Sequence, residues 1–263
     1  MLVAERHNHI ITAVRSKGSA SISELADDLE VSVSTLRRDL DFLSDAGLLQ
    51  RTRGGAVSHV PASKTFEPPA SVSGVLASAE KRAIGQYAAQ QIKSGQTVLF
   101  DSGTTTVEAA RAAVALHLQF TAITNDLQIA ALLSMEPGID VIVPGGMVRS
   151  GTPTILGSTT QDFMLRLSVD LLMLGAHGAH DGRLSDTSIE LANLKRCMIT
   201  ISEIRLLLVD SGKFERCAFA VFGNVSDFDQ VITDDALSPE ATASMVAQPV
   251  KVVRVSTTAR RAS

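Results

Sequence analysis

Two stretches of this 263-residue chain combine residue types and spacings that can do chemistry. The first is Val31-Ser-Val-Ser-Thr-Leu-Arg-Arg-Asp-Leu40. Ser32 is a good helix N-cap, since its hydroxyl can accept from an amide of the first turn. Leu36, Leu40 and Leu43 follow at spacings of four and three and make one inward stripe. That stripe puts Ser34, Arg38, Asp41 and Asp45 opposite it, with Thr35 and Arg37 on its flanks. Hydroxyls and amides opening a short helix can meet phosphates, and arginine forks can read guanine in a major groove. A solvated helix face would carry the same Arg-Arg pair, so the surroundings must decide. The second stretch is Asp101-Ser-Gly-Thr-Thr-Thr106, followed at once by an apolar helix over 107–116. Ser102, Gly103, Thr104, Thr105 and Thr106 at a helix start can cradle an anion, with free amides and the helix dipole in its favour. An ordinary capped turn has the same composition. The Gly-x4-Gly-Lys-Ser/Thr pattern is absent, which argues against nucleotide triphosphate hydrolysis.

The elements that must position these residues can be read in order. Residues 2–17 read as a helix carrying Ile10, Ile11 and Val14, stopped at Lys17-Gly18. Ser21-Ile-Ser-Glu24 is a capping box opening a helix with Ile22, Leu25, Ala26 and Leu29 inward. A tight turn at Glu30-Val31 leads into the Ser32 helix, which is helix-turn-helix spacing. Gly47 ends that helix. Residues 48–57 then alternate and turn at Gly54-Gly55, as a small hairpin does. On such a wing, Arg51 and Arg53 can grip flanking backbone or minor groove; a solvated turn residue is the alternative for Arg53. The candidate DNA contacts are therefore Ser21, Ser32, Ser34, Thr35, Arg37, Arg38, Arg51 and Arg53.

Residues 58–79, with Pro61, Pro68 and Pro69 and no period, read as a linker. From Glu80 the pattern changes. A helix over 80–93 precedes apolar strands at 97–100, 120–124, 140–143, 169–174 and 205–209, with helices between. Such alternation means a mostly parallel sheet covered on both faces. Ligands bind beyond the carboxyl ends of such strands, and there the polar residues fall. Asp101 and its hydroxyl run follow the first strand. Asn125 follows the second, Gly145 and Gly146 the third, Gly175, Ala176 and His177 the fourth, and Lys213 the fifth. Five such ends make a ligand pocket the expectation. Lys213 reads as the one cation placed to neutralise a phosphate; a solvated loop lysine is the alternative. The two glycines at 145 and 146 can equally serve a turn. The expected domains are 1–57, a linker over 58–79, a sensor over 80–256, and a disordered tail over 257–263.

Together these motifs resemble a known family. Ser21-Ile-Ser-Glu-Leu-Ala, the run ending Arg37-Arg-Asp-Leu40, Gly47-Leu-Leu-Gln-Arg51 and Arg53-Gly-Gly-Ala56 look like the winged helix-turn-helix of DeoR-family bacterial transcription regulators. Arg53 stands where a histidine is usual, which keeps or adds positive charge. Asp101-Ser-Gly-Thr-Thr-Thr106, Thr124-Asn125, Pro144-Gly-Gly146, Leu194-Lys-Arg-x-Met198 and Asp210-Ser-Gly-Lys-Phe214 look like that family's C-terminal sensor domain. The resemblance implies a small α+β winged domain, then an α/β domain similar in fold to ribose-phosphate isomerase. It also implies a phosphorylated sugar or related metabolite as effector, and relief of repression as the commoner mode.

Composition is consistent with this. The chain is 45% hydrophobic and 4% aromatic, with no Trp and a formal net charge of −4. Residues 1–57 hold seven Lys/Arg and eight Asp/Glu, a balance of −1. DNA affinity must therefore come from a local patch, with modest strength and strong salt dependence. No long apolar run and no signal-peptide core are present, so the expectation is a soluble cytoplasmic protein. Cys197 and Cys217 lack metal spacing and read as reduced thiols. The related isomerases carry Asp-Gly-Ala-Asp where this chain has Leu174-Gly-Ala-His177, and Glu-Lys where it has Leu194-Lys195. Without those carboxylates, proton transfer beside a carbonyl has no positioned base. His177, His180 and Asp181 lack a further metal ligand. The reading is a regulator without catalysis, metal or cofactor, whose partners are a double-stranded operator, a small effector and further copies of itself. One helix-turn-helix buries too little surface for strong specificity, which is why a homo-oligomer is expected. The alternatives are a sugar-phosphate isomerase-like enzyme fused to a DNA-binding domain, and a protein-contact module.

Overall fold

The computed structural model describes residues 3–58, 64–65, 73–74, 76–214, 216–239 and 250–257. The chain divides into two compact units, Met1–Ser78 and Ala79–Ser263. Most of the stretch expected as a linker, and nearly all of the expected tail, lie outside the described residues.

The first unit is built from α1 (Val3–Lys17), β1 (Ser19–Ser21), α2 (Ile22–Asp28), α3 (Val33–Asp45), β2 (Leu49–Arg51) and β3 (Gly55–Ser58). Local sequence explains the helix starts. Ser21 and Glu24 form the capping box in both directions, and Ser32 Oγ accepts from the Thr35 amide at 3.2 Å. Leu36, Leu40 and Leu43 meet Ile10, Val14 and Leu25 in a single core. The wing is a three-stranded antiparallel sheet in the order β1-β3-β2, one strand more than the expected hairpin. Ser19–Ser21 is too short and polar to announce itself as a strand. Gly55 is required where β3 crosses β1, because a Cβ there would lie 2.1 Å from the Ala20 carbonyl oxygen. The far end of the expected linker is tied to this unit: Leu76 packs on its core, and the Ala77 amide donates to Asn8 Oδ1.

The second unit runs α4 (Ser78–Ala89), β4 (Thr97–Phe100), α5 (Thr104–Val114), β5 (Phe120–Thr124), α6 (Leu127–Leu133), β6 (Ile139–Ile142), β7 (Met147–Val148), β8 (Ile155–Leu156), α7 (Ser158–Met164), β9 (Val169–Gly175), β10 (Gly178–His180), β11 (Arg183–Asp186), α8 (Ile189–Thr200), β12 (Ser202–Leu208), β13 (Ala220–Asn224), β14 (Gln230–Asp234) and β15 (Lys251–Val255). Seven strands form one parallel sheet in the order β15-β14-β12-β9-β4-β5-β6. Small antiparallel groups, β10-β11-β13 and β7-β8, stand beside it. Five of the seven strands were expected from the sequence. β14 and β15 were not, since polar ends on Gln230–Asp234 and charges in Lys251–Val255 hide their apolar centres.

Alternation along the strands separates two cores. Val98, Phe100, Leu171 and Met173 face α4, α5 and α6. Leu99, Leu172 and Leu174 face α7 and α8. Helix α5 starts at Thr104 rather than at 107, so the threonines form its first turn instead of a loop. Gly103, with φ at 156°, is its N-cap, and Thr106 Oγ1 donates back to the Gly103 carbonyl at 2.7 Å.

The two helices nearest the first strand touch backbone to backbone. A Cβ on Gly85 of α4 would sit 2.6 Å from the Ala109 amide nitrogen of α5. Overpacking of this kind costs about 1–3 kcal/mol. Gly85→Ala should therefore lower the urea midpoint of the second unit, and an unchanged midpoint would show that α4 and α5 are not seated this closely.

Candidate DNA-reading helix and effector site

In the first unit, α3 presents the side chains read from its sequence. Leu36, Leu40 and Leu43 are fully buried, Ser34, Arg37 and Arg38 are exposed, and Thr35 is half-buried. The hydroxyls of Ser34 and Thr35 each lie 2.9 Å from Ser32 Oγ, which gathers three hydroxyls at the helix start. Two candidates are engaged inside the unit. The Ser21 hydroxyl is held in the capping box with Glu24. Arg51 was read as a wing contact to DNA, but its guanidinium pairs with Asp41 on α3. The wing sheet seats Arg51 beside the helix, within reach of that carboxylate. Arg53 is exposed at the wing turn, which closes through the Thr52 amide on the Gly55 carbonyl at 2.9 Å.

In the second unit, strand order reverses between β4 and β9: in chain order the strands run 3-2-1-4-5-6-7 from the β6 edge. Brändén-type crevices open at such a point, outside the carboxyl ends. Here the ends of both strands meet a buried cation. Lys195 of α8 donates to Asp101 at 3.0 Å, to Asp186 at 2.7 Å and to the Gly175 carbonyl at 2.7 Å. All three ammonium protons are thereby used, and the Phe222 ring lies 5.2 Å away. The Gly175 amide donates back to Asp101 at 3.3 Å. Burial pushes Asp101 up to about 6 against the pull of Lys195. Burial also acts on Asp186, but Lys195 and the Thr187 amide hold it below the usual carboxylate range. The same two carboxylates outweigh burial at Lys195 and hold its ammonium above the ordinary lysine range.

Burial and then Lys213 bring His177 down to about 4, with Asp186 opposing. The imidazole is therefore neutral at pH 7. Lys81 of α4, only 4% exposed, is lowered to about 8 by burial and by Lys213, with Asp210 opposing. Lys213 is thus not the one cation at the strand ends, as the sequence suggested; Lys81 is buried within its field. Lys213 itself is half-buried in a short 3₁₀ turn, Ser211–Lys213, whose Ser211 amide donates to Asp234 at 2.7 Å.

The hydroxyl run divides in the structure. Thr106 is buried and committed to the Gly103 carbonyl, Thr105 is buried, and Ser102 and Thr104 are half-buried. Asp126 caps α6 through the Gln128 and Ile129 amides and also accepts from the Gly103 amide; burial nevertheless holds it above the usual range. Asn125 is fully buried. Its amide donates to the Ile155 carbonyl at 3.4 Å, and its Oδ1 has no hydrogen-bond partner among the described residues. Gly145 and Gly146 serve the turn. The Gly145 carbonyl accepts from Thr160, and a Cβ on Gly146 would lie 2.3 Å from Thr160 Oγ1. Gly175 and Ala176 are half-buried at the end of β9.

Sequence reasoning missed Lys81, Asp186 and Lys195 as site residues. The signal was present. Lys195 stands on the inward stripe Leu191, Leu194 and Met198, and Lys81 on the stripe of Ile84 and Ala88. A lysine on an apolar stripe demands a buried partner. Asp101 and Asp186 are those partners of Lys195. Among the described residues no group of His, Cys, Asp and Glu is arranged to hold a metal ion, and no helix is long and apolar enough to cross a membrane.

Removing Lys195 leaves two buried carboxylates facing each other. Lys195→Met should cost about 3–5 kcal/mol at pH 7. Without the cation both carboxyls titrate above their unfolded value near 3.9, so the folded form binds extra protons below that raised range. The deficit relative to wild type should shrink as pH falls from 7 to 5. Urea unfolding of both proteins at the two pH values reads this, and a deficit independent of pH would contradict the ion cluster.

Comparison with known proteins adds what geometry cannot. Residues 6–61 match the family model described as a DeoR-like helix-turn-helix domain, and residues 76–235 that of the DeoR C-terminal sensor domain. The glycerol-3-phosphate regulon repressor of Escherichia coli (strain K12) is 35% identical over 235 residues, 89% of this chain and 92% of that protein. The HTH-type transcriptional regulator GlpR of Haloferax volcanii is 33% identical over 254 residues, 96% of this chain and 98% of that one. Among solved structures, ribose 5-phosphate isomerase A from Neisseria gonorrhoeae is similar at 14% identity over 51% of this chain and 52% of its own, with a TM-score of 0.38. That likeness is too distant to bear on the site. The curated relatives are regulators rather than enzymes. With both domain models matched in order along one chain, this protein belongs to the DeoR family of DNA-binding transcription regulators.

Proposed function

We propose that the chain acts as a homo-oligomeric repressor in which α3 reads operator DNA and the strand ends of the second unit bind a small phosphorylated sugar or polyol. The observation that carries the effector reading is the reversal of strand order between β4 and β9, with His177, Lys213 and the first turn of α5 following the strand ends there. A phosphate is the anion that the Lys213 charge and the dipole of α5 favour. Ser102, Thr104, Asn125, Gly175, Ala176 and the Asp101–Lys195–Asp186 cluster then offer polar groups to the hydroxyl-bearing part. The name of the Escherichia coli relative, which refers to glycerol-3-phosphate, points to the same class.

On the DNA side, Arg37 and Arg38 read bases while Ser32, Ser34 and Thr35 meet phosphate. Arg53 assists from the wing turn, and Arg51 acts through Asp41 rather than on DNA. Two copies on repeated half-sites supply the surface that one helix lacks. Effector binding favours an arrangement of the assembly that spaces the paired helices wrongly for the operator, and affinity falls by the coupling free energy, typically about 1–3 kcal/mol.

Fluorescence anisotropy with the chain's own upstream DNA, at two salt concentrations and with a panel of phosphorylated sugars and polyols, tests the whole reading. The expected result is specific, salt-sensitive binding that one phosphorylated compound weakens and its unphosphorylated parent does not. Absence of specific binding to that DNA would count against the operator reading. Arg38→Ala should lower operator affinity by about 10- to 100-fold, the range for one bidentate base contact, without unfolding the protein. Lys213→Ala should weaken the effector response while leaving DNA affinity in its absence unchanged; an unaltered effector titration would take Lys213 out of the site.

A further inference from the structure

Asp39 lies inside α3, between the exposed Arg38 and the buried Leu40, and its own side chain is buried. Helix α1 supplies its partners. Arg6 approaches it bidentately, Nε to Oδ2 at 2.5 Å and Nη2 to Oδ1 at 3.1 Å. His7 Nε2 lies 2.8 Å from the same Oδ1, and the His7 ring stacks on Phe42, one turn further along α3, with centroids 5.1 Å apart. Arg6, His7 and Asp39 are each less than a tenth exposed. Burial pushes Asp39 up, but Arg6 and His7 hold it below the usual carboxylate range.

Stability alone does not call for this arrangement. Leu36, Leu40 and Leu43 already seat α3, and an apolar residue at 39 would extend the stripe. Buried ion pairs replaced by apolar groups of similar volume are often neutral or stabilising. What an ion pair adds is direction. Leucine packing tolerates small rotations of a helix about its axis, whereas a bidentate carboxylate–guanidinium contact does not. With an arginine head ~6 Å or more from the axis, a rotation of ~20° moves it by ~2 Å. That is beyond what a bidentate base contact tolerates. Asp39 follows Arg38 directly, so the clamp acts next to the residues whose aim matters.

We infer that Arg6 and His7 grip Asp39 to set the rotation of α3, which makes all three positioning residues for DNA reading. The inference rests on the reading of α3 as the DNA-reading helix. The buried charge is kept for aim rather than for stability, and Asp41 with Arg51 braces the same helix from the wing side.

The test separates aim from stability. Arg6→Met with Asp39→Leu keeps net charge while replacing the directional contact with apolar groups. Thermal unfolding, affinity for the chain's upstream DNA, and affinity and salt slope on a scrambled duplex of equal length are compared with wild type. The expected outcome is a midpoint within a few degrees of wild type, unchanged binding to the scrambled duplex, and operator affinity at least tenfold weaker. A double variant that folds and binds operator like wild type would overturn the inference. His7→Phe keeps the ring on Phe42 but removes one hydrogen bond from Asp39, and it serves where the double variant does not fold. A fall of threefold or more in the ratio of operator to scrambled affinity supports the clamp, and an unchanged ratio overturns it. Arg38→Ala run alongside distinguishes the two failures. If it too leaves operator binding intact, the reading of α3 is at fault; if it weakens operator binding while the clamp variants do not, only the positioning role fails.

Discussion

The sensor unit depends on one buried ammonium. Lys195 joins α8 to the ends of β4 and β9 and to β11, using every proton it has. Desolvating a lysine in a parallel α/β core costs several kcal/mol unless its charge is answered. Two carboxylates and a carbonyl answer it, and in doing so they fix where the strand ends lie. The reversal of strand order between β4 and β9 creates a crevice in any such sheet. Lys195 determines what lies at those strand ends: a hydrogen-bonded ion cluster of one ammonium and two carboxylates rather than a lone charge.

The two units handle buried charge in parallel ways for different ends. In the first, Asp39 is held by Arg6 and His7 beneath a helix that faces outward; in the second, Lys195 is held by Asp101 and Asp186 beneath a crevice. Each cluster joins elements distant in sequence. Apolar packing supplies the stability of both units, because removing hydrocarbon from water is the dominant driving force of folding. Ionic contacts supply orientation, which packing specifies poorly.

This division also explains what the sequence made legible. The Ser32 cap, the Ser21–Glu24 box and the Leu36–Leu40–Leu43 stripe are local, so their signals sit within a few residues of one another. The helix-turn-helix, the alternation of strands and helices, and the polar strand ends followed from them. Asp39 and Lys195 were visible only as charges in odd places, because their partners come from other elements and register at a distance is not written in a local pattern. The role of Thr106 was illegible for a related reason, its hydroxyl being turned inward to its own helix start, whereas a turn role for Gly146 was already open from its neighbours in sequence. Arg51 is a further case: its pairing with Asp41 on α3 is not announced by any local pattern.

A sensor must hold one arrangement more tightly than another, and the source of that difference can be sought in the charges. Lys213 is among the causes that lower both Lys81 and His177. Lys81 thus feels Lys213 on top of the cost of burial, with Asp210 opposing, while the same field keeps His177 neutral. Under the proposed reading, a phosphate beside Lys213 offsets that repulsion at Lys81. The gain grows with the anion's charge and is absent for the unphosphorylated compound, whatever hydrogen bonds its hydroxyls make. Discrimination for a phosphorylated effector then arises from strain already present in the protein, not from one additional contact. A site of matched charges would bind a sugar by its hydroxyls and would have little to relieve. Under that reading, Lys81 in the field of Lys213 gives the bound arrangement an advantage that depends on the phosphate itself.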